Sequence, residues 1–159
     1  MNFVLDGMLG KLARWLRMMG HNTKYFTELG DARLLEISKK EERILLTRDF
    51  VLYQQAIAKG VETFYVEGNT EPERLAELAK RFNILLTINL ELSRCPKCNT
   101  TINLVPKEEI KDKVEKNTLL NYNEFWLCPN CGAVYWQGAH WTKIRANLRE
   151  AEQKLKKER

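Results

Sequence analysis

Two short cysteine motifs constrain the fold of this chain more than any other feature. The first contains Cys95 and Cys98, the second contains Cys128 and Cys131, and 29 residues separate the two motifs. Two residues between the cysteines of a pair let both thiolates reach one metal ion, and four sulfur ligands suit the closed tetrahedral site of a structural zinc. Since the gap between the motifs exceeds the common spacing of about 15–20 residues, it indicates an insertion.

A disulfide pair, a redox pair and an iron–sulfur site are the alternatives to zinc. A redox motif needs only one such pair, and iron–sulfur ligands follow other spacings. The chain has no apolar run of about 18 residues that could span a bilayer and no signal-peptide pattern at its start. We therefore expect a cytoplasmic protein, in which thiols stay reduced and favour metal over disulfide. The prediction is a zinc ribbon over residues 93–140, with Zn²⁺ in a structural role.

Residues 1–92 alternate between short apolar runs and segments with helical periodicity. Strands given by apolar runs, with helices between them, predict an α/β fold with a parallel sheet covered on both faces. The predicted strands are residues 3–5, 23–26, 43–47, 61–66 and 83–89, and the predicted helices are residues 8–19, 32–37, 50–59 and 71–82.

The positive charge of the chain is concentrated near its C-terminus. Residues 141–159 contain seven Lys or Arg and three Glu, which accounts for +4 of the formal net charge of +5. Such a segment predicts an amphipathic basic helix that binds a polyanion, with a solvated surface helix as the alternative.

Three aspartates are candidates for a catalytic site. Asp6 and Asp49 each follow an apolar strand, and Asp31 lies at a predicted helix start. Residues at the carboxyl ends of parallel strands share one edge, and clustered carboxylates there would bind Mg²⁺ or Mn²⁺. Each also has a structural alternative: Asp6 as a turn residue, Asp31 and Asp49 as helix N-caps.

Several motifs together resemble the Mut-seven-type C-terminal RNase domain, a family of PIN-like nucleases that ends in a zinc ribbon. They are residues 6–17 (DGMLGKLARWLR), 30–31 (GD), 44–49 (ILLTRD), 93–99 (SRCPKCN), 128–132 (CPNCG) and 135–141 (YWQGAHW).

The resemblance implies a PIN-like parallel-sheet α/β/α domain at residues 1–92, followed by the ribbon and a basic helix at residues 141–159. It implies a metal-dependent ribonuclease whose acidic positions are Asp6, Asp31 and Asp49. A fourth ligand would be Glu67 or Asn69, since no aspartate follows the fourth predicted strand. The alternatives are a non-catalytic RNA- or ribosome-binding adaptor, and a regulatory protein that acts through a protein partner at the ribbon.

The expected partner is single-stranded or structured RNA, with a ribosome-associated RNA as one candidate, and cations near the site would position its phosphates. The predicted RNA-binding residues are Lys11, Arg14, Arg17, Arg48, Trp136, Lys143 and Arg145. The aromatic residues around the ribbon, Trp126, Tyr135, Trp136 and Trp141, would either stack on bases or pack the small core. His140 is expected to serve packing or hydrogen bonding, because four cysteines already complete the metal site.

Overall fold

The computed structural model describes residues 1–158 and shows a mixed α/β fold. Its larger sheet has four parallel strands in the order β2-β1-β3-β4. In chain order, the elements of this part are β1 (Asn2–Leu5), a 3₁₀ turn (Gly7–Leu9), α1 (Gly10–Met18), β2 (Asn22–Tyr25), α2 (Asp31–Lys40), β3 (Ile44–Thr47), α3 (Phe50–Ala58), β4 (Thr63–Tyr65) and α4 (Glu71–Phe82).

Helices cover both faces of the parallel sheet. Phe3 and Leu5 of β1 belong to one core, shared with α1 and α4. Val4 of the same strand belongs to the opposite core, shared with Leu35 of α2 and Leu52 of α3. Successive side chains of a strand point to opposite faces, so a fully apolar strand is buried on both sides. The three layers confirm the parallel α/β arrangement that the apolar runs predict.

The C-terminal helix α7 (Trp141–Lys157) packs on α4 and belongs to this same unit. Ala151 is fully buried and Leu155 is 4% exposed, and both lie in the core of the sheet's first face. The basic segment is therefore an amphipathic helix that covers α4 with its apolar side, and it is not a free arm.

Residues 83–89, predicted as a last strand, contain no strand. Asn83 adopts a left-handed backbone with φ 56°, which ends α4. Ile84 and Leu86 are buried in the core, whereas Leu85 between them is 78% exposed. Alternate burial gives this segment a strand-like sequence pattern, although its backbone does not pair with the sheet.

A second, antiparallel sheet of three strands in the order β5-β6-β7 follows in the cysteine region. Two short helices occupy the insertion between the cysteine motifs. The elements are β5 (Asn103–Val105), α5 (Lys107–Ile110), α6 (Lys116–Asn121), β6 (Phe125–Leu127) and β7 (Val134–Tyr135).

The cysteine region is hydrogen-bonded to the parallel sheet through the loop at Cys95–Asn99. The Asn99 side-chain oxygen accepts a hydrogen bond from the Thr23 backbone N–H at 2.9 Å, and its amide nitrogen donates to Asn22 Oδ1 at 2.8 Å. The loop therefore covers the outer edge of β2. Across residues 1–158, no helix combines the length and apolar character needed to cross a membrane.

Candidate functional site

Asp6 and Asp49 lie at the same edge of the parallel sheet. Asp6 follows β1, Asp49 comes two residues after the end of β3, and these two strands are hydrogen-bonded neighbours with Leu5 in register with Leu46. In an open parallel sheet, this carboxyl edge is where ligands bind.

Thr47 connects the two aspartates. Its side chain is fully buried at the end of β3, and its hydroxyl donates a hydrogen bond to Asp6 Oδ2. The same hydroxyl oxygen accepts from the Asp49 backbone N–H at 2.9 Å. One side chain thus fixes the carboxylate of Asp6 relative to the start of the segment that carries Asp49.

Asp49 is the N-cap of α3, as the structural alternative predicts. Its Oδ1 accepts hydrogen bonds from the backbone N–H groups of Val51 at 3.0 Å and Leu52 at 3.2 Å. A carboxylate has about four lone-pair sites. Capping through Oδ1 therefore leaves Oδ2 as a possible cation ligand, and the two roles are compatible.

Asp6 precedes the 3₁₀ turn and accepts a hydrogen bond from the Met8 backbone N–H at 3.4 Å. Burial raises the pKa of Asp6 above its usual value, and the negative charges of Asp49 and Asp31 add to the rise. The hydrogen bonds from Thr47 and Met8 act in the opposite direction. A partly buried carboxylate with other carboxylates nearby favours binding of a cation or a proton, because either one offsets the negative charge.

Asp31 is the first residue of α2 and is exposed. Its interpretation as an N-cap is wrong, because Gly30 holds that position and no side-chain capping bond forms. Its charge nevertheless acts on Asp6. Within residues 1–158, the three aspartates do not form a group with ligand atoms all within 4.8 Å.

The two candidates for a fourth ligand lie in the loop after β4. Glu67 is exposed, and its backbone N–H donates to both oxygens of Glu77 at 3.2 Å. The Asn69 side-chain oxygen accepts from Arg48 at 3.5 Å, and Arg48 also donates to the carbonyls of Glu67 and Gly68. Arg48 thus holds this loop beside the carboxyl edge, rather than presenting an unoccupied guanidinium to solvent.

The predicted basic stripe on α1 is only partly present. Lys11 and Arg14 are exposed, but Arg17 is 8% exposed. Its guanidinium donates to the carbonyls of Thr23 at 2.9 Å and Pro96 at 2.8 Å. The predicted RNA contact by Arg17 is therefore corrected: this side chain is enclosed, and it joins α1 to the first cysteine loop.

The four cysteines form the one group in residues 1–158 whose ligand atoms all lie within 4.8 Å of one another. The sulfur atoms of Cys95 and Cys131 are 3.6 Å apart, and those of Cys98 and Cys128 are 3.4 Å apart. A tetrahedron with zinc–sulfur bonds of about 2.3 Å has edges of about 3.8 Å. These separations are close to that value and far longer than a disulfide bond of about 2 Å, so the cluster could bind a metal such as zinc.

Two thiols of the cluster have pKa values shifted in opposite directions. Burial raises the pKa of Cys128 to about 11, whereas a hydrogen bond with Thr100 lowers that of Cys98 to about 5. Four neighbouring thiolates repel one another unless a positive ion lies between them. The donor set is therefore suited to a soft divalent metal.

Comparison with known families decides the relationship of this chain to other proteins. The family model described as Mut7-C RNAse domain matches residues 1–148. The chain belongs to this family. No curated protein and no solved structure shows a significant match to this chain.

In this member of the Mut7-C family, the four aromatic residues named above all pack within the fold, at least in part. Trp126 lies in the small core beside the cysteines, and the Tyr135 hydroxyl is 2.9 Å from Cys95 Sγ. Trp141 is 8% exposed and donates its indole N–H to the Trp136 carbonyl at 3.1 Å. Trp136 itself is half-buried against Phe125.

The remaining predicted contacts lie at the start of α7. Lys143 and Arg145 are exposed, and the Arg145 guanidinium lies 5.8 Å from the centre of the Trp141 ring. His140 is exposed, precedes α7 and makes no side-chain capping bond. The exposed cations among the predicted RNA contacts are therefore carried by two helices, Lys11 and Arg14 by α1 and Lys143 and Arg145 by α7.

Thr47 is the residue that sequence reasoning missed. Its signal is a single hydroxyl at the last position of an apolar strand, two residues before Asp49. A polar group at a fully buried position must find a partner. That requirement, applied to the strand end, would have identified it.

Proposed function

We propose that this Mut7-C chain is a metal-dependent ribonuclease that hydrolyses phosphodiester bonds in RNA. The observation that carries the proposal is the pair Asp6 and Asp49, which follow adjacent parallel strands and are connected by the buried Thr47 hydroxyl. Membership of a family of RNase domains supports RNA as the substrate.

Asp6 and Asp49 would hold Mg²⁺ or Mn²⁺, with Asp31 contributing from the start of α2. A divalent ion at such a site stabilises charge on the scissile phosphate and lowers the pKa of a bound water. Thr47 keeps the Asp6 carboxylate in place, and the two N–H groups at the start of α3 orient Asp49 through Oδ1. Glu67 and Asn69 remain candidates for a further ligand.

The four cysteines would hold one Zn²⁺ in a zinc ribbon, with the antiparallel sheet β5-β6-β7 as its frame. Four sulfur ligands leave no position for a reactive water, so this metal would have a structural role. The division we propose is a PIN-like unit at residues 1–92, the ribbon at residues 93–140 and a basic helical segment at residues 141–159. Of this last segment, α7 (Trp141–Lys157) packs back on the first unit, and Arg159 lies outside the described residues.

Phosphate contacts are proposed for the exposed cations Lys11 and Arg14 on α1 and Lys143 and Arg145 on α7. Arg48 would act from beside Asp49 while it holds the β4–α4 loop. Trp136, half-buried at the base of α7, would offer an aromatic surface. Such contacts position a strand without reading its sequence.

A non-catalytic RNA-binding adaptor is the second candidate. One observation favours it. The ligand atoms of the four cysteines all lie within 4.8 Å of one another, whereas those of the three aspartates do not. A divalent ion would have to draw the three carboxylates together to complete the site. An adaptor would bind RNA with a steep salt dependence and would not cut it.

Cleavage of labelled RNA in Mg²⁺ or Mn²⁺ distinguishes the two candidates. The variants are Asp6→Asn and Asp49→Asn, with the exposed Asp112→Asn as a matched control. Asn is as good an N-cap as Asp, so Asp49→Asn removes the charge while α3 keeps its cap. We expect each site variant to lower the rate at least 100-fold, and the control to match the wild type.

The metal requirement is tested by omitting Mg²⁺ and Mn²⁺ and then adding them back, which leaves bound zinc in place. Cutting that persists without added metal, or that survives both site substitutions, would contradict the enzyme proposal. Tight binding without any cutting would support the adaptor.

A further inference from the structure

Three aromatic side chains form a cluster immediately beside the carboxyl edge of the sheet. They are Phe50 and Tyr53 of α3 and Tyr65 of β4, and we call them the aromatic cluster. The Phe50 ring centre lies 5.6 Å from that of Tyr65 at an interplanar angle of 87°, and 5.9 Å from that of Tyr53 at 32°. The Tyr53 and Tyr65 ring centres are 5.9 Å apart.

The aromatic cluster is fixed in place relative to the two aspartates. Phe50 directly follows Asp49 and is the first residue of α3. Tyr65 is in register with Thr47, the residue whose hydroxyl joins Asp6 to Asp49. The cluster and the carboxyl edge are thus adjacent parts of one surface.

The cluster is open to solvent at Phe50. This side chain is 53% exposed, and the tyrosines are half-buried. Leaving about half of a Phe ring in water forgoes part of the roughly 1.5–3 kcal/mol that full burial provides. The first helical position does not require an aromatic residue, because the cap is supplied by Asp49. Phe50 packs on the two tyrosine rings, and about half of its surface stays available to a ligand.

An open groove of about 840 Å³ continues from the cluster along β4, the outer strand of the sheet. Its walls carry Tyr53 and Tyr65, two cations and three carboxylates. The charged residues are Lys80, Arg81, Glu67, Glu77 and Glu158. With mixed charge on its walls, the groove is not a phosphate channel, so affinity there must come mainly from the aromatic faces.

We propose that the aromatic cluster is a stacking platform for unpaired bases of an RNA strand bound at the carboxyl edge. Aromatic rings stack on any base through its π-face, and only bases released from a duplex can reach them. The substrate class is therefore single-stranded RNA or an unpaired loop. The inference rests on the proposed ribonuclease function for the nature of the ligand.

Binding is measured in the Asp6→Asn background, so that RNA stays intact whether or not the wild type cuts it. The probe is a fluorescein-labelled unpaired 12-nucleotide RNA, compared with a duplex of the same sequence. The variants are Phe50→Ala and Phe50→Trp. Ile57→Ala, 55% exposed on the same helix, is the matched control.

We expect Phe50→Ala to weaken binding of the unpaired RNA about 5- to 150-fold, since one stacked base contributes roughly 1–3 kcal/mol. The slope of log affinity against log salt should stay unchanged, because no phosphate contact is lost. Phe50→Trp should restore binding, and Ile57→Ala should match the parent. Duplex affinity should not respond to any of the three.

The proposal is overturned if Phe50→Ala binds like Ile57→Ala, or if it weakens unpaired and duplex RNA equally. It is also overturned if sedimentation shows a dimer that Phe50→Ala dissociates without any effect on RNA, because the cluster would then be an interface between copies of the chain. If the wild type never cuts RNA but Phe50→Ala still weakens binding of the unpaired RNA, the ribonuclease proposal is wrong and the stacking platform is supported.

Discussion

At the scale of single residues, Thr47 has the clearest testable role. Its hydroxyl is shared between the Asp6 carboxylate and the Asp49 backbone N–H, and its side chain is fully buried. Thr47→Val keeps the shape and removes the hydroxyl, which leaves Asp6 without the bond that lowers its pKa. We expect the pKa of Asp6 to rise further and RNA cleavage to fall at least tenfold.

Thr47→Ser is the control, because it retains the hydroxyl and should keep both the pKa of Asp6 and most of the activity. The pKa is read by NMR from the carboxyl carbon shift of Asp6, which does not depend on activity. An unchanged Asp6 pKa in Thr47→Val would show that the hydroxyl does not control this carboxylate.

His21 gives a prediction about pH and stability. Burial, together with the positive Met1 amino group 3.2 Å from its Nδ1, lowers the pKa of His21 to about 4. The unfolded chain, with a His pKa near 6.5, binds the proton more readily. The contribution of neutral His21 is therefore fully present above about pH 6.5 and is lost as the pH falls through 4.

NMR titration of the His21 ring protons should give a midpoint near pH 4. The free energy of unfolding should fall less steeply below pH 6.5 in His21→Gln than in the wild type. A ring that titrates near 6.5 would contradict the expected burial.

At the scale of elements, α7 is expected to contribute to stability as a part of the main core. Leu155 is 4% exposed among residues of α4 and α1. Leu155→Ala should lower the free energy of unfolding by about 2–5 kcal/mol, the usual cost of a buried Leu-to-Ala change. The neighbouring exposed residue Lys156 provides the control, since Lys156→Ala should change stability by less than about 0.5 kcal/mol.

Urea unfolding followed by circular dichroism measures both variants. Equal midpoints for Leu155→Ala and Lys156→Ala would show that α7 does not stabilise the sheet.

Elements with local signals were predictable from the sequence, and those set by distant contacts were not. The boundaries of α4 agree with the prediction because Thr70 and Glu73 form a capping box and Pro72 lies in the first turn. The strand prediction for residues 83–89 was wrong because Ile84 and Leu86 bury their side chains in the core, although the backbone of this segment pairs with no strand. Strand pairing depends on which segments are neighbours in space, and an alternating sequence pattern carries no information about them.

In the candidate site, too, residues with local sequence signals were predictable and those set by distant contacts were not. Asp6 and Asp49 could be assigned because they follow the strands whose ends meet at one edge. Arg17 was misassigned to an open basic face, since its carbonyl partner at Pro96 is 79 residues away in the sequence. The aromatic cluster of Phe50, Tyr53 and Tyr65 brings α3 and β4 together, and no local motif marks it.

At the scale of the whole molecule, Asn99 hydrogen-bonds the cysteine loop directly to the sheet, beside the bridge that Arg17 makes between Thr23 and Pro96. The Asn99 φ of 71° is a left-handed backbone that Gly adopts without strain. Asn99→Gly therefore removes the side chain while it preserves the loop. The Thr23 amide donates to the Asn99 side chain at 2.9 Å. In Asn99→Gly, we expect this amide to exchange with deuterium at least tenfold faster than in the wild type.

The Leu45 amide serves as the internal reference, because it donates to the Glu62 carbonyl within the sheet. Its exchange should not change in Asn99→Gly. If both amides accelerate together, the substitution has lowered global stability rather than opened the edge of β2.

Removal of the proposed zinc should act through the same contact. A chelator that takes the metal releases the loop between Cys95 and Cys98, and the loop then no longer holds Asn99 against β2. We expect faster exchange at Thr23 and across β5, β6 and β7, with the Leu45 amide still protected. Unchanged exchange at Thr23 after metal loss would show that the loop keeps its position without the ion.

The contact between Asn99 and Thr23 spans 76 residues, and this separation affects folding during synthesis. When β1 to β4 emerge from the ribosome, the outer edge of β2 has no cover, and the side of α4 that packs on α7 has no partner until Leu155 is made. An uncovered strand edge and an apolar helix face are sites of aggregation. We therefore expect the nascent chain to be prone to aggregation until residue 155 has been translated.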